Sequence, residues 1–302
     1  MNNKILTALC AFFLFFSSGF TAQQIPELLV AALGKGALHI KEGKVLKSYK
    51  TPAASQDAWY LKDGSILACG MKGLIKYNQD GKKEFEWKPE GVAKYEIHSC
   101  MPLPDNRTLV AVNGTKQLFE LNAKGITEKT ITIEDLSTKN THMQMRIVRK
   151  CKNGEYVVVA SGENKVLICN SDGSTKKTID MNKLPAGIKS QKVHGLAVLN
   201  NGNYLIGTGY GKCLVEMTAD GECVWQLSPA DVPELGLAYI SGIHRLSNGN
   251  TVVSAYKSKY NLFEVTPDKK IIWKSNNKDI GKPTNVQVIG EEGDAESFGL
   301  QK

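Results

Sequence analysis

After its first 22 residues the sequence has no stretch approaching 18 consecutive apolar residues, so no membrane-spanning helix is expected in the processed chain. It also lacks any run of five or more basic residues, although Lys and Arg (38) outnumber Asp and Glu (30) for a formal net charge of +8. A dispersed excess of lysine describes a solvated exterior, and no nucleic-acid partner is expected. Histidine is scarce, at five residues, and no His/Cys/Asp/Glu spacing of the zinc-binding kind occurs, so no metal is expected. There is no phosphate-cradling glycine loop, no Ser-His-Asp order and no paired-carboxylate signal. Adjacent cysteines are absent. No cofactor is expected from any of these patterns.

Residues 1–22 read as a signal peptide. A single positive charge at Lys4 precedes twelve apolar residues, ILTALCAFFLFF, too few to span a bilayer, and small residues follow in SSGFTA. Cleavage after Gly19 or after Ala22 fits equally. The expected location is therefore periplasmic or extracellular, with residues 23–302 forming one domain.

Within that domain the stretch His194 to Ser228 reads as four short strands: HGLAVL, NYLIGTG, KCLVEMT and ECVWQL. Asn201-Gly202 and Asp220-Gly221 separate the first pair and the last pair. Such dipeptides between apolar runs are strong hairpin signals, and in a two-residue turn both residues take positive φ. The unit recurs. Its first turn is matched by Asp63-Gly64, Asn106-Arg107, Asn153-Gly154 and Asn248-Gly249, and its second by Asp80-Gly81, Lys124-Gly125, Asp172-Gly173 and Asp268-Lys269. The second series is spaced by 44, 48, 48 and 48 residues.

Four antiparallel strands repeated at this period predict an all-β fold, a β-propeller. Five units run from about Gln56 to Lys278. NVQVIGEEGD at the C-terminus supplies an innermost strand, and ELLVAALGKGALHIKEGKVLKSYK near the N-terminus supplies the others. A sixth blade shared between the two termini then closes the ring, leaving no free sheet edge.

An even count of six cysteines past the leader invites disulfides in an exported protein, but the predicted register opposes the near pairs. A two-residue turn at Asn153-Gly154 sets Cys151 opposite Tyr156, and Cys169 opposes Tyr156 from the other side. Their backbones then lie roughly 9–10 Å apart, past the ~7 Å reach of a bridge. Cys223 likewise faces Thr218 rather than Cys213. Mostly free cysteines are expected, with a Cys69–Cys100 bridge between neighbouring blades left open.

Outermost strands repeat a tryptophan, Trp87 in KKEFEWK, Trp225 in ECVWQ and Trp273 in KIIWK, read as plugs between blades. Third strands repeat GLIKYNQDG, QLFELNAKG, VLICNSDG, LVEMTADG and NLFEVTPD. These phrases resemble blades of the quinoprotein-like propeller superfamily, whose six-bladed bacterial arylsulfotransferases are the most similar in blade count and export. That resemblance implies sulfuryl transfer, with His98 or His194 as the nucleophile and Arg146 as the oxyanion clamp. The chain is shorter than those enzymes and lacks their additional N-terminal domain. Quinoprotein dehydrogenases have eight blades and often adjacent cysteines, so pyrroloquinoline quinone is not implied.

Innermost strands line a propeller's channel, and function concentrates where they begin. Counting back eight residues from each first-turn glycine selects Gln56, Arg146, His194, Ser241 and Asn285, and His98 joins them after allowing one extra residue. This ring offers donors and cations but no carboxylate, which suits a small anionic ligand. Tyr95 and His142 are expected near the channel mouth, His244 between blades and His39 in a structural role. The leading functional reading is a monomeric binding protein for a small anion or, through its faces, for a protein partner. The arylsulfotransferase-like enzyme is the alternative. A calcium-dependent lactonase or lyase ranks below both, because Asp57 is the one acidic residue close to the ring.

Overall fold

The computed structural model describes residues 25–291 and residue 298. The leader lies outside the described residues. The recurring turn pairs stand between strands as expected, but they make a different turn. Gly154 donates its N–H to Cys151 O (2.9 Å) while Cys151 N–H reaches Glu155 O (2.8 Å), so the loop has three residues. Only the glycine is left-handed (φ 88°), and Asn153 Oδ1 accepts from Glu155 N–H at 3.1 Å. Gly64, Gly202 and Gly249 repeat this bond to Leu61, Leu199 and Leu246. A type I turn closed by one left-handed residue needs glycine there and leaves the preceding Asn or Asp free to cap the backbone.

The three-residue loop shifts the pairing across it by one residue, whereas Cys169 opposes Tyr156 as expected. Tyr156 pairs with Lys150 and Cys169, so Cys151 stands opposite Glu155. Cys223 pairs with Met217 rather than Thr218. The six described cysteines are free, Cys69 and Cys100 included.

Among the described residues, twenty-four strands form six four-stranded antiparallel sheets. In blades 1 to 5 the innermost strands are Ser55–Tyr60, Glu96–Leu103, Val148–Lys150, Leu196–Val198 and Ile243–Arg245. In blade 6 the innermost strand Pro283–Val288 pairs with Leu28–Ala32, followed outward by Gly36–Lys41 and Lys44–Tyr49. Blade 6 touches blades on both sides. Thr284 Oγ1 donates to Ser55 O at 3.2 Å, and Val288 N–H donates to His244 Nδ1 at 2.8 Å. His244 thus sits between blades.

The core lies between the sheets, where alternate residues of each inner strand bury Val, Leu and Ile to near zero exposure. Each such side chain contributes about 1.5–3 kcal/mol. Trp87 packs on Phe119 of the next blade, with ring centroids 5.4 Å apart, and Trp225 Nε1 donates to Pro267 O of the next blade at 2.8 Å. Trp273 is buried in the cluster that Leu28, Val30 and Ile40 of blade 6 share with Val252 and Leu262 of its own blade, while its Nε1 donates to Glu264 Oε2 of its own blade at 2.5 Å. No helix among the described residues is long and apolar enough to cross a membrane.

Candidate functional site

Each innermost strand enters its sheet through a β-bulge. Arg146 N–H and the following residue share one partner: Arg146 N–H donates to Val159 O and Val159 N–H to Ile147 O, both at 3.0 Å. The same pattern links His194 and Gly195 to Gly207, and Ser241 and Gly242 to Ser254. The strand register skips Gln56 in blade 1, His98 in blade 2 and Thr284 in blade 6. A bulge leaves one residue unpaired and re-aims its side chain. Five of the six expected ring residues are therefore bulge residues.

Asn285 is the exception, one residue past the bulge. Blade 6 has no hairpin between its first two strands, which come from opposite ends of the chain, so counting from a turn had no anchor there. His98 needs no extra residue, because Asn106 (φ 56°), not Arg107, holds the left-handed place that glycine takes in the other blades.

The bulges surround a cavity of about 340 Å³, walled by Gln56, Arg146, His194, Ser241 and Thr284 and, nearer its mouth, by His142, Lys192, Tyr210, Tyr239 and Tyr256. Directly below lies a polar plug. Asp57, fully buried, accepts from Arg149 Nη1 (3.0 Å), Ser99 Oγ (3.2 Å), Cys100 N–H (3.2 Å) and Asn285 Nδ2. Asn285 thus serves the plug, not the cavity. Beyond the plug a separate space of about 20 Å³ is lined by Trp59, Arg149 and His244 among others.

His98 does not line the cavity. It lies behind Arg146, its Nδ1 2.7 Å from Arg146 Nη1 and 3.0 Å from Gln56 Oε1, its Nε2 2.8 Å from Glu96 Oε2. His142 joins the same group from the short 3-10 turn Thr141–Met143, held by the Asn140 side chain accepting from His142 N–H at 3.1 Å. Its Nδ1 is 2.6 Å from Glu96 Oε2 and its Nε2 2.7 Å from Arg146 Nη2. Glu96, outside the six ring positions, brings a carboxylate to this group. Sequence reasoning passed over it, although it stands two residues before a ring histidine. Tyr95, expected at the mouth, instead donates its hydroxyl to Lys72 O (3.1 Å) under the Lys72 ammonium.

Electrostatics follow from burial. Desolvation, with the Arg146 and His142 charges, lowers His98 to about 3 despite Glu96. It also holds His194 well below the ordinary 6.5, with Arg146 adding to the effect. Burial alone would raise Glu96, but hydrogen bonds and charge from the two imidazoles outweigh it and set its carboxyl at about 2. Arg146 is 8% exposed, and no carboxylate among the described residues lies within ion-pair distance of its guanidinium. His194 Nδ1 is 2.9 Å from Tyr239 OH, which in turn donates to Lys192 O (3.4 Å). In that arrangement the imidazole donates Nδ1–H and keeps its lone pair on Nε2.

Glu96, His98 and His142 each offer one ligand atom, all within 4.8 Å of one another, the only such group of three among the described residues. No signal of it was visible in sequence, because the fold brings His142 to His98 from the loop between blades 2 and 3.

No protein-family model matches the sequence, and neither does any curated protein. Solved structures do. A protein of unknown function from Bacteroides caccae superposes with a TM-score of 0.75 at 22% identity, over 87% of this chain and 98% of its own. A streptogramin B lyase gives 0.59 at 13% identity, over 86% and 87%. A structure of the nidogen/laminin complex gives 0.62 at 10% identity, over 86% and 97%. These likenesses are of fold, the six-bladed propeller.

Proposed function

We propose that the protein binds a small anionic molecule in the cavity at the channel mouth. The observation that carries this is Arg146, a guanidinium more than nine-tenths buried in the cavity wall without an ion-pair partner among the described residues. Burying an unpaired cation costs several kcal/mol, and an anionic ligand offsets that cost. The volume of about 340 Å³ suits a small molecule, not a polymer. Tyr239 meets Tyr210 and Tyr256 edge to face, at 4.6 and 5.8 Å, and this wall favours a ligand with an apolar body beside its charge. We further propose that residues 1–22 export the chain and that residues 23–302 act as one monomeric domain.

The test is a thermal-shift series of wild type and Arg146→Ala with phosphate, sulfate, acetate and benzoate. A ligand at 100 times its dissociation constant adds about 2.7 kcal/mol of stability. A rise in melting temperature with one of these anions, lost in the variant, supports the reading. No shift with any of them counts against it.

A second reading is catalytic, favoured by the His194–Tyr239 pair, which leaves Nε2 as a neutral base or nucleophile at the cavity. His98 is the weaker nucleophile of the two expected, since both its ring nitrogens are engaged. Incubation with p-nitrophenyl sulfate tests sulfuryl transfer. A covalent adduct lost in His194→Ala supports it, and an unchanged mass opposes it.

A further inference from the structure

We infer that Glu96, His98 and His142 form a site for a divalent transition metal, held in competition with Arg146. Two imidazoles and one carboxylate are a zinc-type ligand set. Glu96 Oε2 already lies 2.8 Å from His98 Nε2 and 2.6 Å from His142 Nδ1. Metal–ligand bonds of about 2.0–2.2 Å require these atoms to part by less than about 1 Å. Half of the His142 side chain faces solvent, with a relative exposure of 47%, which gives an ion a way in and leaves a coordination position open.

The second observation is the surroundings of His98. A metal on His98 Nε2 puts the ring proton on Nδ1, and a metal-bound imidazole needs an acceptor for that proton. Gln56 Oε1 is there at 3.0 Å, and its amide is turned that way by Nε2 donating to Ala54 O at 3.3 Å. The same Nδ1, however, is 2.7 Å from Arg146 Nη1, and His142 Nε2 is 2.7 Å from Arg146 Nη2. A guanidinium only donates. The metal-bound tautomers and this position of Arg146 therefore exclude one another.

Two hydrogen-bond patterns share one set of atoms. In the first, both imidazoles give their protons to Glu96 and turn lone pairs to Arg146. In the second, a metal takes the place of those two protons, Gln56 accepts from His98, His142 donates to water, and Arg146 moves into the cavity it borders. Little else retains Arg146: its Nε–H has no partner among the described residues, and its guanidinium's remaining contact there is Met143 Sδ at 3.9 Å.

Titration of the full chain with Zn²⁺ by calorimetry, and with Co²⁺ by its visible absorption, tests this in wild type, His142→Ala and Arg146→Ala. His142 is exposed enough that its truncation leaves the fold intact, which an unchanged melting temperature checks. Loss of one ligand should weaken binding by at least about tenfold, and removal of Arg146 should tighten it by a comparable factor. Binding confined to Arg146→Ala and lost on adding His142→Ala supports the site, with Arg146 as the stronger competitor. No binding by wild type or Arg146→Ala overturns it, as does His142→Ala binding as wild type does. Equal affinity of wild type and Arg146→Ala overturns the competition. The anion reading stands or falls separately, on the metal-free thermal shifts.

Discussion

Arg146 of blade 3 and His98 of blade 2 meet at 2.7 Å, guanidinium Nη1 to imidazole Nδ1, with both side chains more than nine-tenths buried. Burial in a medium of low dielectric, reinforced by a permanent cation this close, keeps the imidazole neutral, and Glu96 on its far side fixes where its proton lies. The pair joins two blades, and Arg146 alone of the two lines the cavity. Its consequences reach stability as well as binding.

Stability should fall as the solution is acidified from neutrality. His98 titrates at about 3 in the folded chain and His194 well below 6.5, so below pH 6.5 the unfolded chain binds protons that the folded chain refuses. Each histidine then removes about 1.4 kcal/mol per pH unit. Glu96, held at about 2, adds its own loss only below its ordinary 4.5. Urea unfolding at pH 7.5, 6 and 5 measures this. A midpoint flat across that range would mean that the folded chain protonates these rings.

Asp57→Ala should destabilise strongly. It strips Arg149, 4% exposed, of its carboxylate and leaves Asn285 Nδ2 and Cys100 N–H without their acceptor. Breaking a buried pair on one side costs about 3–5 kcal/mol. Denaturant unfolding reads the loss, and a change below about 1 kcal/mol would show that the plug does not hold the inner strands together.

Thiol titration of the denatured, leader-free chain should count six free cysteines without reductant. In the native state Cys69, Cys100, Cys169 and Cys213 are buried and should react slowly, while the partly exposed Cys151 and Cys223 react first. Burial, the neighbouring Cys69 thiol and the Asp57 charge also push the Cys100 thiol up, away from reactive thiolate. A count of four in the denatured chain would point to a bridge, with Cys69–Cys100 the pair to map.

Gly209→Ala should loosen the cavity mouth. Gly209 has φ 61° and bridges Gln191 on one side and Ile240 on the other, tying the loop that carries Lys192 and His194 to the one that carries Tyr239. An added Cβ would sit 2.1 Å from Lys192 O. A lowered melting temperature together with weaker anion binding is expected. Unchanged binding in a stable variant would show that these loops do not shape the ligand site.

The blade architecture was legible in sequence because it is local. Turn chemistry, strand alternation and a 44–48-residue period all act over a few residues at a time, and together they specified six four-stranded blades. The same local logic reached five of the ring positions, since a bulge stands at a constant distance from the turn that follows it. It misjudged the turn itself, because Asn-Gly serves two loop lengths and only the backbone shows which, and the pairings of Cys151 and Cys223 moved by one with it, while Cys169 stands opposite Tyr156 as expected. It placed Asn285 in the wrong layer, because blade 6 draws its strands from opposite ends of the chain. What no local pattern carried was the company each side chain keeps. Glu96, His98, His142 and Arg146 come from blade 2 and the loop leading into blade 3, and their shared hydrogen bonds exist only once the sheets pack side by side. Sequence alone determined the blade pattern and where five of the six inner strands would bulge. Tertiary packing decided which of the bulge side chains are buried and which are neutral, and it left the buried guanidinium of Arg146 beside an open cavity without an ion-pair partner among the described residues.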